Sequence, residues 1–448
     1  MKKKSLNILI AGIMCAAMTA GCGSTQAAGS QQAASSQAQT SSAAAESTAA
    51  SAETAASSTA SASTTGTDSK ADAGTITIWH DNDENIMNAI GDQANKDLAA
   101  DGIKVQFVKK KDVSSQIKMY GNDPDNGPDM YMFAHDSLGT FVQMGILSPV
   151  SDIIDTSKES DLIPMTKKAA TYDDKQYLMP VYYESLLFIY NKDLWKDEIP
   201  TTTDGLLEYM KKNTDTDKGT YAVVNQYSTS YNVAPVINGF GGYLMNDEGQ
   251  PGLNVKGTKD AVAYNAKFAP YEADGDYNTI TTLFNDKKAQ AIIGGPWLIS
   301  GIKDAGIDYG VKSLTDFTLP NGKTLIPYSG VQCLGVMKYA AESKKDAIAK
   351  VLEEISKPEI GTMLANKFNC APANSKSYDD ADVKSNEMIC AIEKTAKTAI
   401  PMPNIPQMNV VWTPAESMLV DVNKSGKNVE DVADKYQQEA LDAIEDMK

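Results

Sequence analysis

Two acids stand where an acid is either costly or useful. Asp136 belongs to the stretch 127–139, GPDMYMFAHDSLG, in which a Gly-Pro-Asp turn leads into an apolar run and then a polar cluster. Glu184 sits in the middle of 176–191, QYLMPVYYESLLFIYN, which is long and mostly apolar. A carboxylate in such surroundings is paired, hydrogen-bonded to a ligand, or expensive to bury. Asp136 admits two readings. It is a ligand group at a strand end beside Phe133 and His135, since ligands of open α/β sheets bind at the carboxyl ends of strands, or it is a cap on the helix that follows. Two carboxylates among aromatics could also act as the acid and base of glycoside hydrolysis.

Other chemistries find little support. His80 and His135 are the only histidines, too few for a His-based metal site or a Ser-His-Asp relay. Of the five cysteines, Cys333, Cys370 and Cys390 lie beyond the first 22 residues, with no CxxC spacing. They allow at most one disulfide and read as small buried hydrophobes. The run Asp81-Asn82-Asp83-Glu84-Asn85 begins like a calcium loop, but Ile86 takes the glycine position and Asp92 stands where a glutamate is needed. No metal or cofactor is implied.

The elements that must position these residues fill the chain from about residue 75. TITIWH (75–80) alternates as a strand, 83–99 carries Ile86, Ile90 and Ala94 at helical spacing, 103–108 is a strand, 112–120 a helix, 130–134 a strand and 137–144 a short helix. This βαβαβ order predicts an α/β fold with doubly wound parallel sheets. A second unit follows, with helices over 204–212, 231–239 and 258–269, and strands over 221–224 and 289–294. Further on, 331–337 reads as a strand and 340–354, 358–368 and 429–447 as helices, the last capped by Asn428.

The amino end reads differently. Lys2–Lys4, an apolar run over 6–20 and then Thr19-Ala20-Gly21-Cys22 form a secretory signal too short to span a membrane. Small residues directly before Cys22 are similar to a bacterial lipoprotein cleavage site, which makes Cys22 the expected lipid anchor. Residues 23–74 are nearly all Ser, Ala, Thr and Gln, a composition that cannot bury a core and serves as a tether. This arrangement predicts a protein held on the outer face of the cytoplasmic membrane, in a cell with a thick wall and no outer membrane. The net charge of −17 argues against nucleic acid and anionic lipid surfaces as partners.

Four stretches carry a resemblance: GPDMYMFAHDSLG (127–139), PVYYESLLFIYNKDL (180–194), GGPW (294–297) and MPNIPQMNVVW (402–412). They resemble the extracellular solute-binding proteins of sugar ABC importers, in particular those for maltose and maltodextrins, and the similarity runs from about residue 75 to the end. The resemblance implies two α/β lobes joined by crossing hinge strands, with sugar in the cleft: lobe 1 over 75–183 with 334–383, lobe 2 over 184–333 with 384–448. Crossings are expected near 182–186 and 332–334. The expected occupant is a malto-oligosaccharide, the partner an ABC permease in the membrane, the protein a monomer and not an enzyme.

Carried over position by position, the resemblance assigns sugar-binding carboxylates to Asp83, Asp136 and Glu184, and aromatic platforms to Phe133, Tyr231, Trp297 and Trp412. An aromatic ring covers the C–H face of a pyranose, and carboxylates accept its hydroxyls. Where the family carries basic residues, this chain has Glu84 beside the first carboxylate, Ser137 after Asp136, and Glu416 after Trp412. Thr229 replaces the family's acid before the platform tyrosine. With those cations gone, stacking is expected to dominate, which favours longer α-glucans over a disaccharide.

Overall fold

The computed structural model describes residues 74–158, 161–273 and 275–447. The expected signal segment, Cys22 and residues 23–73 lie outside the described residues. Gly74, read from sequence as the end of the tether, is the first residue of strand β1 (Gly74–His80).

β1 alternates threonine with isoleucine, and both faces are covered: Ile76 and Ile78 are fully buried, and Trp79 and His80 nearly so. Helix α1 (Glu84–Leu98) follows, started by Asp83, whose Oδ1 accepts the Asn85 N–H at 2.7 Å. It turns Met87, Ile90, Ala94 and Leu98 onto the sheet, at the three- and four-residue spacing of an amphipathic helix. Strand β2 (Ile103–Lys109), helix α2 (Val113–Tyr120), strand β3 (Met130–Ala134) and helix α3 (Leu138–Gln143) complete the βαβαβ unit. β2 and β3 pair in parallel with β1 on either side, so all three strands send their carboxyl ends the same way.

The parallel order then gives way to antiparallel pairing. Strands β4 (Leu178–Ser185) and β5 (Leu187–Asn191) are separated by Leu186 alone, yet they belong to different sheets. The second sheet runs β8-β5-β7-β6, with β6 at Tyr221–Val224, β7 at Ala289–Gly294 and β8 at Tyr309–Ser313. The first sheet is closed by β9 (Tyr328–Met337), antiparallel to both β3 and β4. β9 starts three residues earlier than its sequence pattern suggested. Its register against β4 shifts between Gln332 and Cys333, an irregularity of the bulge type.

Helices α4 (Ser230–Gly239), α5 (Lys256–Asn265), α6 (Met408–Asn423) and α7 (Val429–Glu445) pack together as one core. α6 was not foreseen as a helix. It contains Pro414, which removes one ladder hydrogen bond, but Met408, Val411, Ala415, Met418, Leu419 and Val422 keep a buried face along it. Expected as one helix, 340–354 is two, Lys338–Ser343 and Lys345–Ile355. Lys344 breaks it at φ −131° and ψ 26°, and its Nζ donates to the Thr75 carbonyl (3.1 Å) and to Asp129 (2.9 Å). The cysteine expectation also needs correcting. Cys333 and Cys370 are buried, but Cys390 is exposed, and all three are free.

Candidate functional site

Three chain segments end at the carboxyl edge of the first sheet. Residues 81–83 leave β1, 135–137 leave β3, and Glu184 stands next to last on β4. Asn82 ties two of them to β9, placing its Nδ2 at 3.4 Å from the Met132 carbonyl and 3.3 Å from Gln332 Oε1. Asp136 lies in a short 3-10 turn, His135–Ser137, and its side chain caps neither that turn nor α3. The capping alternative for Asp136 is therefore not what the structure shows. Its Oδ1 is shielded from solvent and has no hydrogen-bond partner.

The electrostatics report which groups converge. Burial pushes Glu184 up to about 7, with nothing offsetting it. Asp136 is pushed up to about 6 by burial, tempered by backbone N–H groups of its own turn and by the Lys118 charge. The charges of Glu184 and Asp136 together add to the burial that holds the Tyr231 phenol above its ordinary value. Tyr182 is raised by burial and then by Glu184, with Asp81 and Asp83 also bearing on it. Glu184 and Asp136 thus both bear on Tyr231, and Glu184, Asp81 and Asp83 on Tyr182, although these groups come from separate segments.

Asp81 joins them and was missed as a site member from sequence. Burial pushes it up to about 7, its own and the Val113 N–H oppose, and Asp112 and Asp136 add to the rise. The available signal was its place directly after β1, two residues before Asp83. Glu416 lies one turn beyond Trp412 on α6 and accepts Ser230 Oγ–H at 3.5 Å, and burial raises it too. Glu84 stands apart, exposed and 3.8 Å from Lys109.

The aromatics divide. Tyr231 is in the first turn of α4 and Trp297 in the 3-10 turn Pro296–Leu298 after β7, both partly buried. The Trp297 ring lies over Gly295, where a Cβ would fall 2.1 Å from Cζ3, so glycine is needed there for the close approach. Trp412 is partly buried on α6 and meets Tyr328 edge-on at 6.4 Å. Phe133, by contrast, is only 9% exposed and belongs to the main core, which leaves little of its ring for a ligand.

Partly buried acids with little cationic compensation, bearing on a partly covered tyrosine ring, suit a neutral polyhydroxyl ligand that brings its own donors. Residues 89–392 match the family described as bacterial extracellular solute-binding protein. The chain belongs to that family. The maltodextrin-binding protein MdxE of Bacillus subtilis is 31% identical over 74% of this chain and 83% of the relative. The galactooligosaccharide-binding protein of the same organism is 28% identical, over 79% and 86%. The fold is similar to that of the solved maltose-binding protein of Listeria monocytogenes in complex with maltose, with a TM-score of 0.71 and 30% identity over 84% of this chain and 98% of that one.

This solute-binding protein is accordingly the extracellular, sugar-binding component of an ABC transporter and not an enzyme. A cavity of about 960 Å³ lies away from the carboxylates. It is lined by Lys167, Lys168, Tyr172, Asp247, Asn404 and Gln407 among others, and so takes in part of the 402–412 stretch but none of the carboxylates or aromatic platforms assigned from sequence. Lys168 and Asp247 approach to 3.5 Å there.

Proposed function

We propose that this solute-binding protein captures malto-oligosaccharides between two lobes, 75–183 with 334–383 and 184–333 with 384–448, and hands them to a membrane permease pair. The observation that carries the reading is that the charges of both Glu184 and Asp136, at the first sheet's edge, bear on Tyr231 in the first turn of α4. Glu184 and the unpartnered Oδ1 of Asp136 gain hydrogen-bond donors when sugar hydroxyls arrive, and Tyr231, Trp297 and Trp412 supply apolar faces. Closure follows because a ligand touching both lobes favours the arrangement in which it contacts both. A lipid on Cys22 and a tether over 23–73 hold the monomer to the outer face of the cytoplasmic membrane.

A galacto-oligosaccharide ligand is the second reading, favoured by the similar degree of likeness to a galactooligosaccharide-binding relative. Calorimetric titration with maltose, maltotriose, maltoheptaose, a galacto-oligosaccharide and xylotetraose separates the two. Affinity that rises with α-glucan length supports the proposal, and heat with galacto-oligosaccharide alone replaces it. Trp297→Ala and Trp412→Ala should each weaken binding by ~1–2 kcal/mol without unfolding the protein. Unchanged affinity in both would remove the aromatic assignment.

A further inference from the structure

The segment that leads into Trp412 is tied unusually closely to the turn that carries Asp136. His135 is fully buried on that turn. Its Nδ1 lies 3.1 Å from the Val331 backbone N–H, so that nitrogen must accept. The ring proton is therefore on Nε2, which donates to the Met402 carbonyl at 2.9 Å. Two residues on, Asn404 makes three contacts. Its carbonyl accepts the Gly139 N–H at 2.8 Å, and its Nδ2 donates to the carbonyls of Ala169 (3.0 Å) and Thr171 (2.9 Å).

Gly139 leaves no room for slack. A Cβ there would fall 2.5 Å from the Asn404 carbonyl oxygen and 2.7 Å from Pro406 Cδ. The knot continues into α6, where Asn409 Nδ2 donates to Thr140 Oγ1 at 2.9 Å. Asn409 and Trp412 are three residues apart, and so share a side of the helix. From Met408 and Val411 onward α6 packs into the core it shares with α4, α5 and α7, and Trp412 lies against that core. The amino end of α6 is thus held both by the Asp136 turn and by those helices.

We propose that Asn404 is a positioning residue for ligand binding: its side chain anchors 402–407 to the Ala169 and Thr171 carbonyls, holding its own carbonyl on the Gly139 N–H of the 135–140 turn and so fixing the Trp412 ring relative to Asp136. The claim rests on the ligand reading given above, and it is separable from it. Asn404 touches no ligand group in this account. It acts through the backbone, by satisfying two carbonyls that would otherwise lose their donor.

The test uses the full chain with Asn404→Ala and, as a near-isosteric second variant lacking both donors, Asn404→Asp. Hydrogen exchange in the free protein reads the positioning directly. Amides over 412–418 should exchange at least tenfold faster in both variants, while those of α7 stay as they were. With maltotetraose, Asn404→Ala should raise Kd about tenfold in the native background, yet less than twofold when Trp412→Ala is already present. Such non-additivity is the mark of one residue acting through another. Unchanged exchange over 412–418 overturns the proposal, as does an undiminished tenfold effect in the Trp412→Ala background. Should the unmodified protein bind no α-glucan, the ligand reading falls, and the exchange comparison still decides the role of Asn404. If both variants fail to fold, Asn409→Ala, which cuts the next tie of the knot, gives the same comparison.

Discussion

Replacing Glu184 by glutamine should make the ligand-free protein more stable at alkaline pH while removing its ability to hold sugar. Glu184 is partly buried on β4, and burial alone moves its carboxyl from 4.5 to about 7. The folded state therefore holds this proton more tightly than the unfolded chain does. The stability linked to the protonated form is complete below the unfolded value of 4.5, and it is lost as pH rises through about 7. At 1.36 kcal/mol per pH unit, the interval corresponds to ~3 kcal/mol of destabilisation at pH 8 relative to pH 4.5. Glutamine keeps the shape and never ionises. Glu184→Gln should then match the native protein in urea unfolding at pH 5 and exceed it by ~2–3 kcal/mol at pH 8. A stability difference that does not change between pH 5 and pH 8 would refute the reasoning, since it would mean that Glu184 ionises in the fold as freely as it does in water.

Ligand binding should carry the opposite sign in protons. Sugar hydroxyls that donate to Glu184 and Asp136 favour their charged forms, so uptake of an oligosaccharide near pH 6.5 should release protons and affinity should rise from pH 5 to pH 8; calorimetric heats that do not depend on buffer ionisation would contradict this. Asp129→Ala should cost about 2–3 kcal/mol in urea unfolding, because Asp129 is buried, accepts the Thr77 N–H at 2.9 Å and pairs with Lys344 at 2.8 Å. Gly139→Ala should destabilise by ~1–3 kcal/mol through the clash with Asn404, measured the same way. Peptide mapping after brief alkylation should find Cys390 modified first, since it is exposed while burial holds the thiols of Cys333 and Cys370 well above their ordinary value.

Regular periodicity was readable, and its interruptions were not. The β1–α1–β2–α2–β3 unit follows from alternating isoleucines, capping acids and turn residues, all of them local signals. Lys344, where the helix breaks, is paired with Asp129, more than two hundred residues earlier, and no window around Lys344 contains that partner. α6 hid behind Pro414, a helix breaker in isolation, whose lost hydrogen bond is outweighed by six buried neighbours along the same face. Cys390 was read by residue type. Helical phase would have served better, because Met388, Ile389 and Ile392 take the inward face of Glu387–Ala396 and leave 390 outside. For the candidate site, Glu184 announced itself as a lone acid in an apolar run. Asp81 looked like one more polar residue in a loop, and only the approach of Asp136 from β3 gives it a setting.

The first strand of the described residues is an interior one. β1 lies between β2 and β3, with Gly74 at one end and Asp81 just past the other, about 20 Å away at the usual rise of an extended chain. Gly74 lies at the edge of the sheet opposite to the carboxylate-bearing end. A surface linkage made at Gly74 would leave that far edge unobstructed. Attachment at the side chains that follow β1 or β3 would instead block the groups gathered there.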